Sequence, residues 1–335
     1  MPLSHTEKVD AANIALMIIA CAIAFVLPFE LFLLSYAVLG PLHYLTEIGW
    51  LHNKGYYTNG KNDFVFLGIL GLIITLGALG FLHWSETLTA HLVYLAFLSG
   101  LVMVTIKDKG LKTAAIVLIA ISSFFFREST FYIAVFTVFI PTILHVFVFT
   151  ALFMLFGVLK SRSRLGLLSI LVLIACTCSF FFANTPYWVL SSKEYLAKSM
   201  GGFLELNRQL INLFGLADLE KFSQFTFRQN AEVILGSGAG ITVMRFIAFA
   251  YTYHYLNWFS KTSVIQWHKV PRKTLISVGL VWLVSVSLYA YKYEVGLKWL
   301  FLLSFLHVLL EFPLNYRSFI GIGQEFTRLA KTSFK

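Results

Sequence analysis

Long apolar runs dominate this chain, and several approach or exceed the ~20 residues that an α-helix needs to cross a bilayer. No other feature constrains the fold so strongly. Of the 335 residues 58% are hydrophobic and 13% are charged, about half the charged share of an ordinary soluble domain. A soluble globular enzyme, a disordered chain and a secreted disulfide scaffold are therefore excluded. The expected fold is all-α, a polytopic bundle of transmembrane helices in a single membrane domain.

Hydropathy marks about nine spanning segments, at 12–39, 64–82, 88–106, 111–126, 131–158, 165–184, 238–260, 274–291 and 296–314. The first is long and holds Pro28, which predicts a kink because proline removes a backbone hydrogen bond. The loops near 54–61, 107–112, 160–164 and 261–273 are all basic, as is the tail over 315–335. Acidic residues gather on the other side, among them Glu86, Glu128, Glu194 and Glu205. Lys and Arg concentrate in cytoplasmic loops, so the N-terminus is expected outside and the C-terminus inside. The +10 formal charge is absorbed by this pattern, and no nucleic-acid partner is expected. Residues 1–10 have no basic region or cleavage motif, so no removable signal peptide is expected either.

The organisation expected is thus six helices over 1–184, an extracytoplasmic segment over 185–237, three helices over 238–314 and the cytoplasmic tail. Phe203, Leu204, Leu206, Leu210, Ile211 and Phe214 alternate with Glu205, Asn207, Arg208 and Gln209 at helical spacing, which predicts an amphipathic helix at the interface or over the bundle end. Cys21, Cys176 and Cys178 lie inside apolar runs and read as small hydrophobes. The surroundings expected are the lipid bilayer of a cell membrane, the bacterial inner membrane, crossed many times.

Function is sought where titratable groups enter the hydrocarbon, since each costs several kcal/mol unless paired, metal-bound or hydrated. His43 with Glu47, His145, His254, and His307 with Glu311 meet that condition. His43–Glu47 and His307–Glu311 are each four residues apart, so each pair shares one helix face. His145 falls near mid-bilayer, and at ~1.5 Å rise per residue modest helix tilt would let all four histidines meet in the cytoplasmic half of the membrane. Facing helices of bundle metalloproteins supply His and carboxylate ligands in this way. The expected metal ligands are His43, His145, His254 and His307, with Glu47 and Glu311 as ligands, orienting groups or catalytic carboxylates. A single buried histidine is more often a hydrogen-bonded packing residue; four at compatible depth weigh against that reading.

Other candidates fall away. His5, His83 and His91 belong to the opposite end, His52 points away from His43, and His268 reads as interfacial. Arg245 reads as a structural counter-charge or a holder of a substrate carboxylate or phosphate. Gly236-Ser237-Gly238-Ala239-Gly240 lacks the G-x-S-x-G nucleophile elbow, and small residues there suit close helix packing.

In order along the chain, Gly40-Pro41-Leu42-His43-Tyr44-Leu45-Thr46-Glu47, Leu144-His145-Val146-Phe147, Tyr253-His254-Tyr255-Leu256-Asn257-Trp258 and Leu306-His307 to Glu311 resemble the motifs of the Brp/Blh family of membrane β-carotene 15,15′-dioxygenases. Tyr44 stands where that family has glycine, Glu47 where it has aspartate, and Trp258 about where it has a second histidine. The resemblance implies a non-haem Fe(II) held by histidines, O₂ as co-substrate and a carotenoid or other apolar lipid as substrate, with Glu47, Glu311 or His52 compensating for the absent ligand. Two other functions are compatible with the same residues. One is a transporter or channel whose His and Glu side chains relay protons; the other is a non-catalytic membrane subunit that docks a partner.

Overall fold

The computed structural model describes residues 4–183, 185–217, 231, 234–261 and 270–333. Within them every regular element is helical. Eight helices are long and apolar enough to cross a membrane: His5–Val26, Pro28–Asn53, Glu86–Thr105, Lys109–Phe126, Thr130–Ser161, Arg164–Phe182, Arg272–Tyr291 and Tyr293–Lys331. Asp63–Ala78 is apolar but shorter. The all-α, multi-pass reading holds. His268 with its neighbours Gln266, Trp267 and Lys269, and residues 218–230 of the expected interfacial segment, lie outside the described residues.

The chain forms two compact units: one of residues 1–41, 163–264 and 283–296, the other of residues 42–162, 265–282 and 297–335. In the first unit the long opening run is not one kinked span. Helix α1 (His5–Val26) stops at Leu27, whose φ of −133° and ψ of 60° break the helix, and α2 (Pro28–Leu34) starts with proline in its first turn. There proline costs no hydrogen bond and its fixed φ suits the helix start. The chain reverses at this point. Along α1, Asn13 accepts from Ser260 at 2.9 Å and Phe25 lies 5.1 Å under the Arg245 guanidinium. Along the return, Phe32 packs on Tyr251 and the hydroxyls of Ser35 and Thr252 bond at 2.7 Å. The turn is pinned by Trp188, whose N–H donates to Val26 O at 2.7 Å, and by Glu30, which accepts from the N–H groups of Leu190 and Ser191.

Ser163 Oγ donates to Asp10 at 2.6 Å, so the start of α1 lies beside the start of the helix Arg164–Phe182. Hydropathy missed the reversal because Leu27-Pro28-Phe29 turns the chain without a polar residue.

The partner of this hairpin is helix Gly238–Ser260, with sixteen of its 23 residues buried. Arg245, His254, Asn257 and several tyrosines keep it off the set of most apolar helices. A helix enclosed by protein need not be as apolar as one facing lipid. The amphipathic helix Leu204–Leu213 covers it, burying Leu204, Leu206, Leu210 and Ile211, while Arg208 pairs outward with Glu205.

The second unit packs helices Asp63–Ala78, Glu86–Thr105 and the C-terminal Tyr293–Ser333 around Leu67, Leu70, Ile74, Val93, Ala96, Val308, Leu309 and Phe312. At Gly100 an added Cβ would lie 2.9 Å from Phe312 Cβ, so the two helices pack closely there. Lys112 is held by Asp63 at 2.6 Å, and Arg317 Nε donates to Tyr57 O at 2.6 Å. Two stretches are π-helical, Ser35–Leu39 and Val135–Phe149. Pro41 follows the first and Pro141 lies inside the second. π turns re-aim the side chains that come after them and are frequent at functional sites.

The hairpin makes a prediction about sidedness. In a cysteine-free background, Ser4→Cys and Ser161→Cys should be labelled by an impermeant maleimide from the same membrane face. Labelling from opposite faces would contradict the reversal at Leu27.

Candidate metal centre

Four buried histidines, His43, His145, His254 and His307, are able to supply ligands to a metal ion. His254 is carried by the first unit, on the helix Gly238–Ser260, and is 7% exposed. The other three belong to the second unit with both carboxylates. His43, Glu47 and His145 are each 1% exposed, His307 3% and Glu311 4%. Such burial of five titratable groups in one unit needs compensation, because unpaired charge is expensive there.

Helix α3 (Gly40–Asn53) presents His43 and Glu47 on one face, with Nε2 to Oε2 at 3.0 Å. The π-helical stretch Val135–Phe149 presents His145. The C-terminal helix presents His307 and Glu311 one turn apart. Donor nitrogens of His43, His145 and His307 fall within 4.8 Å of one another. The His43 and His307 rings are 5.4 Å apart at 82°, and those of His145 and His307 5.0 Å apart at 75°. Three helices thus bring three imidazoles to one place.

Proton placement defines what the group can do. His145 Nδ1 lies 2.9 Å from Glu311 Oε2, and His307 Nδ1 lies 3.3 Å from the Leu303 carbonyl. The Leu303 carbonyl is an acceptor, so His307 Nδ1 carries the hydrogen in the neutral ring and its Nε2 is a lone pair. His145 Nε2 lies within hydrogen-bond distance of it at 3.1 Å, while the contact of His145 Nδ1 with Glu311 Oε2 is close but not a directed hydrogen bond. Imidazole nitrogens sit about 2.0–2.1 Å from a zinc-sized ion, which puts two nitrogens on one ion about 3.0–3.4 Å apart for octahedral to tetrahedral angles. The observed separation fits. Glu311 also stands where a carboxylate fixes a ligand's tautomer and orientation in metalloproteins. Glu47 Oε2 and Glu311 Oε2 are buried beside these imidazoles but accept no well-directed hydrogen bond among the described residues, which leaves acceptor capacity for a cation. The donor set fits a metal ion.

The remaining sequence candidates resolve as follows. His52 is exposed and approaches Tyr56 Oη at 3.4 Å; His83 is exposed, and His91 bonds Tyr132 Oη at 3.0 Å. Arg245 donates to the carbonyls of Ala183 and Thr185 and lies over the Phe25 and Tyr187 rings. It fastens the segment after helix Arg164–Phe182, a structural role. One residue escaped the sequence reading: Tyr44 stacks on His307 with ring centroids 4.3 Å apart at 24°, fixing the plane of that imidazole. Its signal was its place next to His43 in the sequence.

Comparison with protein-family models, curated proteins and solved structures finds no match to this chain.

If Glu311 orients His145, then Glu311→Gln, equal in size but uncharged, should weaken metal binding ~10–100-fold in a chelator competition. An unchanged affinity would remove the carboxylate from the centre.

Proposed function

We propose that this protein is an integral-membrane, metal-dependent oxygenase with a non-haem iron site, acting on an apolar lipid or carotenoid. The observation that carries the reading is the convergence of the buried imidazoles of His43, His145 and His307, with donor nitrogens within 4.8 Å of one another. His43, His145 and His307 are the ligands from the second unit. His254, buried and placed at the same depth by its position in its helix, is proposed as the fourth. Neutral imidazoles with nearby carboxylates suit Fe(II) among the metals that histidine binds.

Iron bound there supplies an open coordination position for activating O₂. The chain's own residues do the rest. Glu311 lies against the His145 imidazole, and the Leu303 carbonyl holds His307 in the tautomer that leaves Nε2 as a lone pair. Glu47 restrains His43, and the Tyr44 ring blocks rotation of His307. Placement among membrane-spanning helices suits a substrate that arrives from lipid without passing through water. The ordered likeness of the four motifs to the Brp/Blh dioxygenases supports a polyene substrate and O₂ as co-substrate.

One observation favours a second reading. His43–Glu47 and His145–Glu311 are buried imidazole–carboxylate contacts at 3.0 and 2.9 Å, the parts from which proton relays in transporters are built. The two readings part on metal content. Protein purified in detergent should contain about one iron per chain, expected of a mononuclear histidine site, and His254→Ala and His307→Ala should lose most of it. With β-carotene in lipid vesicles, the iron-loaded protein should consume O₂ and carotenoid together. A wild-type protein free of transition metal would end the oxygenase reading, and pH-driven flux in metal-free liposomes would replace it with the relay.

A further inference from the structure

The polar stripe on the C-terminal helix does not stop at the metal centre. His307, Glu311 and Asn315 follow at intervals of four residues, so they lie along one side of the helix. Asn315 is 0% exposed. Neither Nδ2 nor Oδ1 has a hydrogen-bond partner among the described residues. An amide side chain has two donors and an acceptor with two lone pairs, and burying all of them unmet is rare in native proteins. Pro313 adds to the deficit. Lying inside the helix without an N–H, it leaves the carbonyl four residues before it, that of Leu309, without its usual helical donor.

Helix α3 runs alongside in the same direction. His43 and Tyr44 lie against His307, and beyond the end of α3 the Tyr57 carbonyl accepts from Arg317. Asn315 therefore sits between the centre, marked by Glu47 and Glu311, and the end of the unit, marked by the Tyr57–Arg317 contact. That end carries the basic loops assigned to the cytoplasm. Buried polar groups of this kind are met by internal water, at two to four hydrogen bonds per molecule, and polar groups inside a membrane protein face such water or each other.

We infer that Asn315 lines a hydrated path that joins the buried centre to the Tyr57–Arg317 end of the second unit. Its ligands are water and, through water, protons and a hydrated divalent cation. A centre made of histidines and carboxylates needs such a route, because its ligands release protons as a metal binds and neither ion crosses hydrocarbon readily. The inference goes beyond the oxygenase reading and does not require it, since a proton relay would use the same path.

The test needs neither metal nor turnover. In a cysteine-free background, Asn315→Cys should react with 2-aminoethyl methanethiosulfonate at least ~10-fold faster than Leu309→Cys, its fully buried apolar neighbour on the same helix. Equal rates would overturn the path. Because either variant can fail to fold, hydrogen–deuterium exchange of the wild-type protein gives a second reading. Peptides covering 311–318 should exchange faster than those covering 299–309, and equally slow exchange would overturn it. Iron content, measured separately, decides the oxygenase reading whichever way these results fall.

Discussion

Two imidazole nitrogens held 3.1 Å apart inside a helix bundle set the conditions for the rest of this centre. His307 is fixed in its tautomer by the Leu303 carbonyl, and His145 lies against the Glu311 carboxylate. Rotation is blocked as well, by the Tyr44 ring stacked on His307 and by the short contact of Glu311 to His145. A metal ion bound here would meet ligands already in place, so little binding energy would go into ordering side chains, because the packing of three helices does the ordering beforehand.

The same geometry explains where the chain departs from regular structure. A proline lies close in sequence to each ligand group of the second unit: Pro41 before His43, Pro141 before His145 and Pro313 after Glu311. Each removes a backbone hydrogen bond, and the two N-terminal ones lie in or next to π-helical turns. A π turn costs stability and is kept where it aims a side chain that regular α geometry would direct elsewhere. The tight contact at Gly100 and Phe312 brings the C-terminal helix close enough for the aim to matter.

Burial explains the division of labour among the helices. Lys109–Phe126 and Arg272–Tyr291 bury 11% of their most apolar windows, whereas Pro28–Asn53 buries 50% and Tyr293–Lys331 buries 44%. The two peripheral helices present apolar side chains outward, as contact with lipid requires. The enclosed helices can carry histidine, glutamate, asparagine and arginine because protein surrounds those groups. Polarity in this chain tracks enclosure.

The apolar runs alone determined that the chain is all-α and crosses a membrane several times, since only intrasegment hydrogen bonding satisfies a backbone in hydrocarbon. They also exposed the candidate ligands, because a histidine or glutamate in such a run stands out, and four-residue spacing paired them. Hydropathy could not show the hairpin at Leu27, where the chain reverses through apolar residues and the signal has no gap. Nor could it show the Nε2–Nε2 distance, the ring of Tyr44 on His307, or the burial of Asn315 without a hydrogen-bond partner among the described residues. Those are properties of side chains from segments far apart in sequence. Periodicity reports which face of a helix a residue occupies, and only the packing of helices against one another decides what that face meets.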